Sequence, residues 1–273
     1  MTVPPKKTRK PAWVIDKERA RRASAAGTVW LFGLHAVRDA LANPARSRLR
    51  LVVTKNAADR LGDAIAASGM EPEIVDARVF DREVPLAPES VHQGAAVEVR
   101  PLDWGRLADV AAAGTDGGAE GSRPLIVALD RVTDPHNVGA ILRSAEVFGA
   151  RAVIATARHA APETGALAKT ASGALERQPY LRVVNLADAL IELKAMGYVV
   201  LGLDGAGDAT LPEALAELPG RAICLVLGAE GPGLRERTRE TCDRVVRIPF
   251  AADFGSLNVS NAAAVALYAA TRA

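Results

Sequence analysis

From residue 125 onward, short unbroken apolar runs alternate with segments of helical period. That pattern commits the chain to a parallel sheet covered by helices on both faces. Leu125–Leu129 reads as a buried strand; Val138, Ile141, Leu142, Ala145 and Phe148 follow at helical spacing, with Gly149 placed to end the helix. Ala152–Ala155, Tyr198–Leu203, Ala222–Leu227 and Val245–Ile248 supply further strands. Leu186–Met196, Arg235–Cys242 and about Ser260–Thr271 supply helices. No internal repeat is present. Ligands of such sheets gather at the carboxyl ends of the strands, which directs attention to the turns after 125–129, 222–227 and 245–248.

Upstream, residues 28–100 alternate short strand-like and helix-like pieces: Val29–Gly33, His35–Leu41, Leu49–Thr54, Ala57–Ser68, Glu73–Val75 and Ala95–Val99. They predict a small α/β domain. A Gly-rich polar stretch, 114–123, marks a linker spanning 101–123, so the second domain is expected over 124–273. Residues 1–27 form a Pro-containing tail without apolar periodicity. Residues 1–25 carry eight Lys or Arg against two acids, so the tail holds +6 while the remaining 248 residues hold −4. This is the composition of a mobile arm that tracks a phosphate backbone, and equally of a solubilising tail.

The composition excludes several classes. Hydrophobic residues make up 49% of the 273, enough to bury a core and too many for a disordered chain. Two cysteines, Cys224 and Cys242, are too few for a disulfide scaffold or a cysteine metal cluster, and a reduced cytoplasmic protein is expected. No run is long enough to span a membrane and no signal-peptide core follows the basic start, so the Asn258-Val259-Ser260 sequon is formal only.

Three turns are unusual. The first holds Asn137, read as the N-cap of its helix, with Arg143 and Glu146 three apart on a polar face and spaced for a surface ion pair. The second is Gly228-x-x-Gly231-x-Gly233 directly after a buried strand. Its glycines imply a sharp bend or a close approach to a ligand, but their order is not that of a dinucleotide fingerprint, and no phosphate-cradling Gly-Lys loop exists. The third joins the last strand to the last helix through Ser256, Leu257, Asn258, Val259, Ser260 and Asn261, with Ser260 as a plausible N-cap. Burying Asn258 without structured partners would be costly.

Together, Asn137-x-Gly139 with Arg143, Leu227-Gly228-x-Glu230-Gly231-x-Gly233-Leu234, and Ile248-Pro249 with Ser256-Leu257-Asn258-Val259-Ser260 resemble motifs one to three of the SpoU (TrmH) family of RNA ribose 2′-O-methyltransferases. Phe32-Gly33-Leu34-His35-Ala36-Val37 and His92-Gln93-Gly94 resemble the ribosomal-protein-like RNA-binding domain of the branch that methylates a guanosine in large-subunit ribosomal RNA. The resemblance implies a catalytic domain whose C-terminal segment threads a trefoil knot, in keeping with the small residues Ala262, Ala263, Ala264, Ala266, Ala269 and Ala270. It implies S-adenosylmethionine as cofactor, held by Leu227, Gly228, Ile248, Leu257 and Asn258, with no metal. It implies catalytic roles for Arg143, Asn137, Glu230, Ser256 and Asn258, and a homodimer with the catalytic centre beside the interface. A guanidinium with a pKa above about 12 is an improbable base, so Arg143 is read as stabilising the developing alkoxide or holding a neighbouring phosphate. Phe250 and Phe254 are candidates to stack on a flipped base or to join the core. A tRNA D-loop guanosine, an rRNA adenosine and a non-catalytic RNA-binding role remain as alternatives; a nicotinamide oxidoreductase is disfavoured by the missing fingerprint.

Overall fold

The computed structural model describes residues 27–87, 90–112, 123–251 and 256–273. The basic tail up to residue 26, the Gly-rich stretch 113–122 and Phe254 lie outside these. The chain divides into two units, 1–102 and 103–273.

In the first unit, β1 (Val29–Phe32), β2 (Arg48–Thr54), β3 (Glu73–Val75) and β4 (Ala95–Val99) form a sheet of order β1-β4-β2-β3. β4 runs antiparallel to both neighbours, and β2 pairs with β3 in parallel. Helices α1 (Leu34–Ala42) and α2 (Lys55–Ser68) follow β1 and β2, and the single turn α3 (Phe80–Glu83) follows β3. α2 begins at a Thr54 side-chain cap and ends at Gly69 in the left-handed region, the stop expected of glycine. The two sequence motifs of this unit meet. Gln93, itself at φ +54°, accepts a hydrogen bond from Leu34 N–H at 3.1 Å and so satisfies an orphan donor at the start of α1. His92 stacks on Phe80 at 4.4 Å and lies 3.2 Å from Asp81.

The second unit is built on a seven-stranded, wholly parallel sheet. Its strands are β5 (Leu125–Asp130), β6 (Ala152–Thr156), β7 (Tyr180–Val183), β8 (Val199–Leu203), β9 (Ala209–Thr210), β10 (Ile223–Gly228) and β11 (Arg244–Arg247), in the order β7-β6-β5-β10-β8-β11-β9. β5 and β6 are buried along their whole length, as continuous apolar runs demand. Each fully buried Leu, Ile or Val there contributes about 1.5–3 kcal/mol relative to exposure.

Helices α4 (Leu107–Ala112), α5 (Pro135–Val147), α6 (Gly165–Ala171), α7 (Leu186–Ala195), α8 (Leu211–Ala216), α9 (Glu236–Thr241) and α10 (Val259–Arg272) cover the sheet. α5 packs on α6 at very short range: a Cβ at Gly139 would lie 2.7 Å from the Leu167 carbonyl and 2.8 Å from Thr170 Cβ. Glycine there is a packing requirement. The all-round small residues of α10 let it lie against α5, α8, β5 and β10. No helix among the described residues is long and apolar enough to cross a membrane.

One boundary and two helix caps differ from the sequence reading. The expected linker contains α4, whose Leu107 and Ala111 are buried in the main core and whose Ala111 carbonyl accepts from Tyr198 O–H at 3.0 Å. Linker chemistry therefore begins after Ala112 rather than at 101. The helix is only six residues long and mostly small, too short to show a period. The caps also move. Asp134, not Asn137, caps α5 by accepting from His136 N–H at 3.0 Å, with Pro135 at the first helical position. Asn258, not Ser260, caps α10, accepting from Ser260 N–H at 2.9 Å. Both asparagine and serine suit a cap, and the sequence does not say which of several adjacent candidates is used.

Candidate active site

Because every strand of the second sheet points the same way, the turns after β5, β8, β10 and β11 open on one edge. The turn after β10 is the most constrained. Gly231 and Gly233 take φ +85° and +67°, Gly233 N–H donates to Ala229 O at 3.0 Å, and the chain doubles back on itself. A Cβ at Gly228 would sit 2.2 Å from Gly233 C and 2.4 Å from its oxygen. Glycine at 228 is thus required by this loop's own backbone, the sharp bend that was one of the two readings of these glycines. The far end of the loop is fixed by Asp130 at the end of β5. Its fully buried carboxylate accepts from Arg235 N–H at 2.9 Å and from Arg235 Nε at 2.7 Å. A buried carboxylate is stable only with such partners.

Glu230 then projects from the bend to join the other two motifs. Its Oε1 accepts from Asn258 Nδ2 at 2.7 Å, from Asn137 Nδ2 at 3.3 Å and from Val259 N–H at 3.4 Å. Asn258 Nδ2 also donates to Asn137 Oδ1 at 2.9 Å, and Asn258 Oδ1 accepts from Ser260 N–H and Oγ. Residues 93 and 121 positions apart from Asn137 are thereby held on a single carboxylate oxygen. Charge-assisted bonds of this kind are the strong ones.

Beside this junction lies a cavity of about 460 Å³, within the range of roughly 300–1,000 Å³ that suits a small organic ligand. All five residues expected to hold a cofactor, Leu227, Gly228, Ile248, Leu257 and Asn258, line it, as do Glu230, Ser256 and Phe250. Among the described residues its charged lining side chains are Glu230 and Asp204, and none is basic. Asp204 is oriented by Arg239 Nη1 at 2.6 Å and by Ala206 N–H at 2.9 Å. The donor set therefore fits a cationic ligand with an apolar body. The turn Leu203-Asp204-Gly205 was missed in the sequence reading; its signal was a Gly-containing polar turn after a buried strand, the same kind of signal as the turns that were examined.

Arg143 stands apart. It is exposed on α5, does not line the cavity, and makes no ion pair or hydrogen bond with other described residues. Glu146, its expected partner, instead pairs with Arg177. Ser256 lines the cavity rim without a hydrogen bond to the junction.

Residues 124–268 match the model of the SpoU rRNA methylase family. The chain belongs to that family. Among relatives, it is 48% identical over 187 residues to a 23S rRNA (guanosine-2′-O-)-methyltransferase RlmB of a Burkholderia species, covering 68% of this chain and 72% of that one. It is 39% identical over 247 residues to the RlmB of Ralstonia nicotianae, covering 89% and 94%. Among solved structures it resembles the SpoU methyltransferase AviRb from Streptomyces viridochromogenes in complex with AdoMet, with a TM-score of 0.73 at 24% identity over 92% of both chains. An AdoMet-bound rRNA methyltransferase from Sinorhizobium meliloti gives a TM-score of 0.74 at 23% identity, covering 95% and 94%. These likenesses agree with the SpoU assignment of the fold, an α/β unit on a parallel sheet.

Proposed function

We propose that this chain transfers the methyl group of S-adenosylmethionine to the ribose 2′-hydroxyl of a guanosine in 23S ribosomal RNA. The observation that carries the reading is the junction of three motif turns on Glu230 at the rim of a cavity with acidic and apolar walls. Relatives bearing the large-subunit rRNA name match along both units of the chain, which favours rRNA over tRNA.

Leu227, Gly228, Ile248, Leu257 and Asn258 hold the cofactor, with Asp204 and Glu230 supplying negative charge close to its cationic centres. When bound, the cofactor provides a methyl group activated on a sulfonium. Asn258 has both Nδ2 protons committed, so its orientation is fixed before RNA arrives. Glu230 Oε2 has no hydrogen-bond partner among the described residues and is free to accept from the incoming ribose. Arg143 stabilises the developing alkoxide or orients the neighbouring phosphate, a task for a planar, permanently charged fork.

Within one copy of the chain, however, Arg143 is off the cavity. One helical turn after it, Val147 is 71% exposed, and with Val265 and Tyr268 it forms an apolar face along α5 and α10, where Tyr268 meets Phe148 edge-on. We read this face as the contact of a homodimer, with Arg143 at its margin and ordered on the partner's side. The first unit presents RNA, in keeping with its ribosomal-protein-like motifs, and the close packing of the narrow α10 supports a knotted C-terminal segment.

The test is Arg143→Lys, assayed on in vitro transcribed 23S rRNA. A drop in kcat of about 100-fold, with the S-adenosylmethionine Kd unchanged, is expected for loss of an oriented donor at a developing charge. Wild-type kcat in this variant would refute the role of the guanidinium.

A further inference from the structure

Most cations of the second unit are engaged; Arg106, Arg143 and Arg221 stand singly without a side-chain partner among the described residues, and one further group of unpartnered cations stands together. Arg177, Lys194, Arg235, Arg237, Arg239 and Arg244 each hold a carboxylate. Arg151, Arg182 and Arg247 bind backbone carbonyls, and Arg272 lies over Tyr268. Arg131, Arg158 and Lys169 are exposed and have no partner among the described residues, and His159 beside them is exposed as well. All four belong to the turns and helix that follow β5 and β6.

The turn bearing Arg158 and His159 is anything but slack. Arg182 reaches beneath it and donates to the carbonyls of Thr156 at 3.2 Å, Ala157 at 2.9 Å, Ala160 at 3.4 Å and Ala161 at 2.5 Å. Tyr180 O–H donates to Ala161 O at 2.9 Å, and Ala161 N–H donates to Val132 O at 3.3 Å, which ties this turn to the one carrying Arg131. Arg131 itself sits at φ +60°, a conformation that non-glycine residues rarely adopt. A clamped base thus carries free basic tips. Of the acids nearby, Asp130 is engaged by Arg235, Asp134 caps α5 and Glu146 pairs with Arg177, while Glu163 lies in the same turn close enough to act on Tyr180.

We propose that this surface binds the phosphate backbone of the substrate RNA, with Arg131, Arg158 and Lys169 as the principal contacts and His159 beside them. The inference rests on the RNA-methylation reading and adds a phosphate track within the catalytic unit itself. Two features favour RNA over an acidic protein. β5 and β6 run parallel to β10, so the tips stand on the same edge of the sheet as the cavity. Arg131 also lies in the same turn-and-helix segment as Asn137, which is bonded into the Glu230 junction. A strand leading its ribose to that junction passes over these side chains.

The experiment compares full-length wild type with Arg131→Gln/Arg158→Gln/Lys169→Gln, and with Arg158→Gln alone, on in vitro transcribed 23S rRNA across a KCl series. Kd for RNA, KM, the S-adenosylmethionine Kd and Tm are measured for each. Lost phosphate contacts should raise the RNA Kd of the triple variant about tenfold or more near 0.1 M salt. They should also flatten its log–log salt slope by about 2, at roughly 0.7 per contact on a single strand, with a shift of about 0.7 for the single variant. Cofactor affinity and Tm should not change. Arg237→Gln/Arg244→Gln, which removes paired cations, should leave the slope alone. A triple variant with wild-type slope and KM would overturn the phosphate track, and an acidic protein would then be the partner to seek. A wild-type enzyme that methylates no RNA would instead overturn the underlying reading, so the two failures are distinguishable.

Discussion

At the scale of single residues, the site depends on positions where no other side chain fits. Gly228 is the clearest. Any Cβ there meets the backbone of Gly233 and Leu234, and backbone does not swing aside as a flexible side chain does. Gly228→Ala should therefore displace the bend that carries Glu230, with a loss of about 1–3 kcal/mol in stability, as for other overpacked sites. It should also weaken S-adenosylmethionine binding by tenfold or more. Urea unfolding and calorimetry measure the two effects. Unchanged cofactor affinity would mean that the Gly228–Gly233 crossing does not shape the cavity. Glu230 works by a different logic. With three donors on one oxygen, losing the carboxylate removes the acceptor that Asn137, Asn258 and Val259 share and leaves only the Asn258–Asn137 amide hydrogen bond to hold the turns together.

At the scale of elements, the central strand β10 and the C-terminal end of α9 each carry a thiol that will not ionise readily. Cys224, fully buried in β10, has its thiol pushed well above the ordinary value of 9.0 by burial. Burial, with Asp243 adding, pushes Cys242 up to about 12. The sign of the consequence is fixed. Below pH 9 both states hold the proton and nothing changes; above it the unfolded chain loses protons that the folded chain keeps, so stability falls as pH rises towards 12. Urea midpoints at pH 8 and pH 10.5 should show the decline. Cys242→Ala should lessen it by up to about 1.4 kcal/mol per pH unit. A variant with the same decline as wild type would assign the effect to other groups.

The long elements of this sheet were legible in the sequence because a buried parallel strand must be continuously apolar, and β5, β6, β8 and β10 are. α6, β7, β9 and α8 were not. They are two to seven residues long, and elements of that length carry no measurable period. Asn137, Glu230 and Asn258, which bond to one another, were singled out in the sequence by the motif resemblance. Their mutual bonding was not legible, since nothing local to Asn137, Glu230 or Asn258 reveals which hydrogen bonds close between them. The caps were misassigned for the same reason: each sits among several residues able to do the job.

At the scale of the whole molecule, the exposed apolar face of α5 and α10 is the feature to test. Val147→Glu/Tyr268→Glu places like charges across the proposed two-fold contact and should give a monomer by light scattering. Because the variant leaves the cavity lining untouched, S-adenosylmethionine binding should persist while methylation falls by a factor of about 100. Mixed dimers carrying Arg143→Lys in one copy and Asn258→Ala in the other should recover part of the activity if Arg143 serves its partner's cavity. A fully active monomer would remove the need for a second copy.

The distance in sequence between the partners of Glu230 has a further effect on how the enzyme comes to life. Asn137 is synthesised 121 residues before Asn258, and both must reach the same oxygen. Until residue 230 has been added the nascent chain has one of the three anchors, and until residue 258 it has two. The lock therefore closes late, once the start of the last helix has been made, and a polypeptide cut short before that point lacks it.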